Sequence, residues 1–140
     1  MNVKVEELMT QSVVTAEPHQ SVEHVRNMLE KNKISAVPVV DSDKHPVGII
    51  SLTDLAQDLK AGAPVSSIMT EKVYTVPKYD DVSIAARVMR NHSIHRVVVT
   101  HEQAVVGMLS AFDLLKLVEG HRFVAKNAPQ RSKRKGSKRE

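Results

Sequence analysis

With 140 residues, 41% of them apolar and none of them cysteine, the chain can form one compact domain or two small halves sharing a core. It cannot use disulfides, iron–sulfur clusters or thiol chemistry. The pI near 9.4 points toward nucleic acid, but Arg131, Lys133, Arg134, Lys135, Lys138 and Arg139 crowd into the last ten residues against Glu140 alone. The other 130 residues carry 14 basic and 15 acidic side chains, so a nearly neutral body bears a basic tail.

In chain order, residues 3–9 form a short amphipathic turn leading into Met9-Thr10. Val13-Val14-Thr15 is expected to be a strand, closed by Glu17-Pro18-His19-Gln20. Ser21 then suits the N-cap of a helix whose apolar residues Val22, Val25, Met28 and Leu29 keep helical spacing. Ile34 to Val40 is a strand, Asp41 to His45 a turn, and Val47 to Ile50 a second strand paired with it. A helix from Asp54 through Leu59 stops near Gly62 and Pro64. Lys4, Glu6 and Glu7 argue against a secretion signal and no apolar run approaches the length of a membrane span, so a cytoplasmic protein is expected.

The sequence then repeats. Met69-Thr70 follows Met9-Thr10 by sixty residues, and at that offset Val73, Thr75, Val82, Ile94, Val97 and Val99 match Val13, Thr15, Val22, Ile34, Val37 and Val39. One residue drops out in the second hairpin. Val106, Gly107, Ser110, Asp113 and Leu114 then match Val47, Gly48, Ser51, Asp54 and Leu55 at fifty-nine. A deletion confined to a turn is where a duplication absorbs one. The expected fold is α/β (α+β): two β-α-β-β-α repeats, 1–62 and 63–121, packed sheet to sheet about a pseudo-two-fold axis, followed by a basic, disordered tail over 122–140.

In both copies an apolar strand ends at the serine of Gly-x-x-Ser-x-x-Asp and a helical pattern begins at the aspartate. Unpaired N–H groups at a helix start favour phosphate. A serine adds a hydroxyl, and a carboxylate can accept from two neighbouring hydroxyls, as on a ribose. The same pattern is also an ordinary capping box. Recurrence of the whole junction with matching flanks tips the reading toward ligand sites in two clefts between the halves.

Met-Thr, a strand, an amphipathic helix, Ile34-Ser-Ala-Val-Pro38-Val and Gly48-x-x-Ser51-x-x-Asp54 resemble the cystathionine-β-synthase (CBS) domain. Two copies over about residues 3–120 are similar to the CBS pair, or Bateman module. Ile94-His95-Arg96-Val97-Val98-Val99 resembles nucleotide-contacting strands in the gamma subunit of AMP-activated protein kinase. The resemblance implies one cleft with Ser51 and Asp54, and Val73 and Tyr74 near the base. It implies an opposite cleft with Ser110 and Asp113 beside Val14, Ile34 and Ser35. His95 and Arg96 would face phosphate between them, and strand backbone near Ala36-Val37 and Val97 would read the adenine edge. The first copy has uncharged Ser35 and Ala36 where the second has His95 and Arg96, so phosphate handling is lopsided.

The seven histidines show no metal-ligand spacing on one predicted face, and no metal is expected beyond Mg carried by a nucleotide. No nucleophile elbow, glycine-rich phosphate loop or paired-carboxylate motif is present, and no catalytic residue is assigned. The expectation is a stand-alone regulatory module, not an enzyme, that binds AMP, ADP or ATP and signals to an unknown partner protein. S-adenosylmethionine or a cyclic dinucleotide is the alternative ligand, and nucleic acid held by the tail the alternative partner. Leu55, Leu59, Leu114, Leu115, Leu117 and Val118 suggest a helical face for a homodimer.

Overall fold

The computed structural model describes residues 2–11, 13–57 and 59–119; the basic tail lies outside them. Its two long matching helices start and stop where local chemistry directs. Ser21 Oγ accepts from the His24 N–H at 3.0 Å to cap α2 (Val22–Asn32), and Asp81 accepts from the Ser83 N–H at 2.9 Å to cap α4 (Val82–His92). Both helices end at a left-handed residue, Lys33 or Ser93, each with φ 54°. Val22, Val25 and Leu29 of α2, and Val82, Ala85 and Met89 of α4, face inward and are buried.

Behind α2, strands β2 (Ala36–Val40) and β3 (Pro46–Ser51) form an antiparallel hairpin. Behind α4, β5 (Arg96–His101) and β6 (Ala104–Ser110) do the same, and β4 (Thr75–Pro77) adds in parallel to β5. The short β1 (Thr10–Gln11) pairs antiparallel with β6, giving the order β1-β6-β5-β4. The shorter second hairpin turns on Glu102 and Gln103, both at positive φ (51° and 69°), as a tight two-residue hairpin loop requires. In the longer one, the Asp41 carboxylate accepts from the Asp43 and His45 N–H groups, each at 2.9 Å. The missing residue of the second copy therefore falls in a turn.

Three expectations need correction. Val13-Val14-Thr15 forms no ladder; pairing is confined to Ala16, which donates to the Pro38 carbonyl at 3.0 Å and accepts from the Val40 N–H at 2.8 Å. In the second copy the Val98 N–H donates to the Tyr74 carbonyl at 3.0 Å. The equivalent residue in the first copy is Pro38, which has no N–H to give. The second correction concerns the helix expected over Asp54–Leu59. It is α3 (Leu52–Leu55), a single turn whose N-cap is Ser51 and whose third residue is Asp54. Arg26 Nη2 takes the Leu55 carbonyl at 3.0 Å, and the chain turns back so that the Ala63 and Ala61 carbonyls accept from the first N–H groups of α2. Its counterpart α5 (Ala111–Glu119) continues for nine residues.

The third correction concerns the dimer face. Leu55 is buried, and Leu59, Leu114 and Leu117 pack against the cores. Only Leu115 and Val118 of the six named leucines and valine are exposed, joined by Leu52 and by Phe112, which is 77% exposed.

Each repeat has its own core, and each is closed by the leading turn of the other. α1 (Val5–Leu8) places Val5 in the second core, tied by Val5 N–H to Asp80 O at 2.8 Å and Val82 N–H to Val3 O at 2.8 Å. Conversely, the 3-10 turn Val65–Ser67 places Val65 in the first core, with its N–H on Gln20 O at 2.8 Å. The methionines that follow these turns sit on the strand glycines: Met69 on Gly48, Met9 on Gly107. That close approach is why each strand needs a residue without a Cβ there. Among the described residues, no helix is long and apolar enough to cross a membrane.

Candidate functional site: two clefts between the repeats

Exchange of the leading turns brings the end of each hairpin against the segment following the other repeat's Met-Thr. Two clefts result, of about 710 and 440 Å³, sizes within the range of small-molecule sites. The larger, the Ser110 cleft, takes Ser110 and Asp113 from the β6–α5 junction. Val14, Ile34, Ser35 and Ala36 of the first repeat form its other wall. The smaller, the Ser51 cleft, takes Ser51 and Asp54 from the β3–α3 junction together with Val73, Tyr74 and His95 of the second repeat. Arg96 lines both. The structure brings the residues named from the sequence together in two groups, with His95 in the Ser51 cleft alone and buried Val37 and Val97 lining neither cleft.

The Ser-x-x-Asp junctions are capping boxes. Ser51 donates to Asp54 Oδ2 from its N–H at 2.9 Å and from its hydroxyl at 3.1 Å. In the second copy the Ser110 N–H donates to Asp113 Oδ2 at 2.9 Å, and the Asp113 N–H donates back to Ser110 Oγ at 3.0 Å. Each cap uses one carboxylate oxygen. Among the described residues no hydrogen bond reaches the other, Oδ1; for Asp113 its nearest charged neighbour is Lys116 Nζ at 3.9 Å. The cap fixes each carboxylate at the cleft edge and leaves one acceptor oxygen over.

Several lining residues were missed by the sequence reading. Thr10 and Thr70, Asn32 and His92, and Lys33 and Ser93 occupy matching positions in the two clefts. Their signal was available, since each pair keeps the sixty-residue offset and the last two flank the C-terminal ends of α2 and α4. Tyr74 stacks on His92 with ring centroids 4.1 Å apart and planes at 26°, and Lys72 Nζ lies 5.9 Å from the Tyr74 centroid. This gives the Ser51 cleft a flat aromatic wall beside cations; the Ser110 cleft has Val14 and Asn32 at those positions. Across the seam, Arg96 Nη2 donates to Ser35 Oγ at 3.2 Å.

Away from the clefts, Asp41, Asp43 and His45 bring potential metal donors within 4.8 Å of one another at the first hairpin turn, a grouping the histidine spacing did not reveal. Asp41 Oδ1 is engaged there by the two turn N–H groups.

Comparison with known proteins fits this geometry. The family model for the CBS domain matches residues 5–61 and again 65–120. Inosine-5'-monophosphate dehydrogenase of Halobacterium salinarum is 38% identical over 109 residues, which is 76% of this chain and 22% of that enzyme. Among solved structures, CBS domain protein PAE2072 from Pyrobaculum aerophilum, complexed with AMP, is 30% identical. That match covers 84% of this chain and 97% of that one, with a TM-score of 0.75. The CBS domain pair of protein MJ0100, in complex with 5'-methylthioadenosine and S-adenosyl-L-methionine, is 28% identical. Coverage is 86% and 98%, with a TM-score of 0.77. The chain spans 22% and 40% of the lengths of the first two curated relatives it matches, so a relative's catalytic activity does not carry over. With the family model matched twice and the two repeats folded as α+β units around shared clefts, the chain belongs to the CBS domain family and is a tandem CBS pair.

Proposed function

We propose that this CBS pair is a regulatory module that binds an adenosine-containing ligand, AMP, ADP or ATP, in the clefts between its repeats and passes its state to a partner protein in the cytoplasm. The observation that carries this reading is the pair of clefts at matching positions, each with a capped carboxylate whose second oxygen is left over for ribose hydroxyls. Tyr74 and His92 offer a stacking surface, and Lys72, His95 and Arg96 offer phosphate partners. The AMP complex of PAE2072 supports the same ligand class. Any metal would be Mg carried in by the nucleotide.

The mechanism is a population shift. The clefts lie between the repeats, so a ligand touching both walls favours one relative packing over another, by at most its difference in affinity for the two. A homodimer through Leu52, Phe112, Leu115 and Val118, which form exposed apolar surface on α3 and α5, is part of this proposal.

A second reading keeps the fold and changes the ligand to S-adenosylmethionine or a related thioadenosine. The mixed charge of the Ser110 cleft and the MJ0100 complex favour it there. Calorimetric titration with AMP, ATP, 5'-methylthioadenosine, S-adenosylmethionine and a cyclic dinucleotide separates these readings. Binding of an adenine nucleotide is expected, and silence with every adenosine compound would overturn both. Nucleic acid held by the 131–140 basic run remains the alternative partner, on residues outside those described.

A further inference from the structure

The clefts are built at matching positions but from unequal charge. In the Ser51 cleft, Lys72 and Arg96 face one carboxylate, Asp54, with two histidines alongside. In the Ser110 cleft, Lys33 and Arg96 face two, Glu30 and Asp113. Take Arg96 away and the second set carries more negative than positive charge, whereas the first still balances. The first repeat supplies no matching guanidinium to either cleft: Ala36 stands where the second repeat has Arg96, and Arg26 is engaged by the Leu55 carbonyl. Instead Arg96 bridges the seam to Ser35 on the Ser110 side.

Building on the adenosine-ligand reading above, we propose that Arg96 is a phosphate-binding arm shared by the two clefts, so that phosphate-bearing ligands bind them antagonistically. A guanidinium presents one planar fork that fits one phosphate bidentately. A phosphate in the Ser51 cleft draws Arg96 from Ser35 and leaves the Ser110 cleft short of positive charge. A second phosphate would then meet Glu30, Asp113 and the first phosphate without that neutralisation. A nucleoside without phosphate makes no such demand, so adenosine fills either cleft regardless of the other. The coupling is reciprocal, as binding free energies require.

The test is calorimetric titration of the full chain with AMP and with adenosine, using wild type, Arg96→Ala and Asp54→Asn. Arg96→Ala gives the second repeat the first repeat's own residue. In wild type, AMP should bind in two phases, the second in the Ser110 cleft. Asp54→Asn, which weakens the Ser51 cleft, should raise AMP affinity in the Ser110 cleft about five- to tenfold above that second phase, a typical coupling factor. Adenosine affinity there should not change. Arg96→Ala should weaken the tight AMP phase about tenfold, remove the gain on adding Asp54→Asn, and leave adenosine binding as it was. If AMP affinity in the Ser110 cleft is the same whether the Ser51 cleft is filled or weakened, the shared-arm inference is wrong and the ligand reading stands. If neither AMP nor adenosine binds, the shared-arm inference falls, and the ligand reading falls with it when ATP and S-adenosylmethionine are silent too.

Discussion

Replacing Asp54 or Asp113 by asparagine separates what the carboxylates do for the fold from what they do for a ligand. Each Oδ2 accepts the serine N–H at 2.9 Å. An asparagine carboxamide oxygen can keep that bond, so the helix start survives. The second carboxylate oxygen becomes an NH2 donor, which cannot accept a ribose hydroxyl. Losing a charge-assisted acceptor while leaving ligand hydroxyls unpaired costs roughly 1.5–3 kcal/mol, or about one to two orders of magnitude in affinity at that cleft. Alanine does more, because it also removes the cap, worth about 0.5–2 kcal/mol of stability with or without ligand. Melting curves and AMP titrations on Asn and Ala variants of each aspartate resolve the two contributions. Ligand at one hundred times its dissociation constant should stabilise wild type by about 2.7 kcal/mol per site. Both Asn variants should keep the wild-type melting point without ligand and lose most of that gain at their cleft. If the double Asn variant retains wild-type AMP affinity, the aspartates are caps and nothing more.

Other expectations follow from the packing. A Cβ at Gly107 would lie 2.7 Å from the Thr10 carbonyl oxygen, which cannot rotate away, whereas at Gly48 it meets only the flexible Met69 side chain. Gly107→Ala should therefore cost about 1–3 kcal/mol and Gly48→Ala less, by chemical denaturation. Because Val5 completes the second core and Val65 the first, we expect neither 1–62 nor 63–121 to fold alone; a cooperative thermal transition in either fragment would contradict this. Phe112→Asp should turn a particle of about twice 15.5 kDa into a monomer by light scattering, and a wild-type monomer at micromolar concentration would remove the dimer proposal. Truncation after Pro129 should abolish any salt-dependent RNA or DNA binding and spare AMP binding; unchanged nucleic-acid affinity would move that surface to the body.

The duplication was legible because cleft-lining and packing positions recur together: Met9 and Met69, Gly48 and Gly107, Ser51 and Ser110, Asp54 and Asp113. Matching pairs in the sequence became matching walls in the clefts. What the sequence hid was partnership. The pattern around Val5 indicates an inward-facing turn but not that it closes the other repeat's core. The sequence reading likewise pools Leu114, Leu115, Leu117 and Val118 as one apolar face, though Leu114 and Leu117 pack on the core while Leu115 and Val118, one turn apart and in line with Phe112, are exposed. The lost strand at Val13–Thr15 could have been anticipated from Pro38, since a parallel ladder there lacks its donor. The stack of Tyr74 on His92 joins residues eighteen apart through the fold of α4, and no local pattern announces it.

The central claim is that the clefts between the repeats receive an adenosine ligand through their capped aspartates, and a crystal structure grown with AMP tests it most directly. AMP should lie in the Ser51 cleft with its ribose hydroxyls on Asp54 Oδ1, its base by Tyr74 and its phosphate on Arg96. AMP bound elsewhere on the chain, or a Ser51 cleft still empty at saturating AMP, would contradict it.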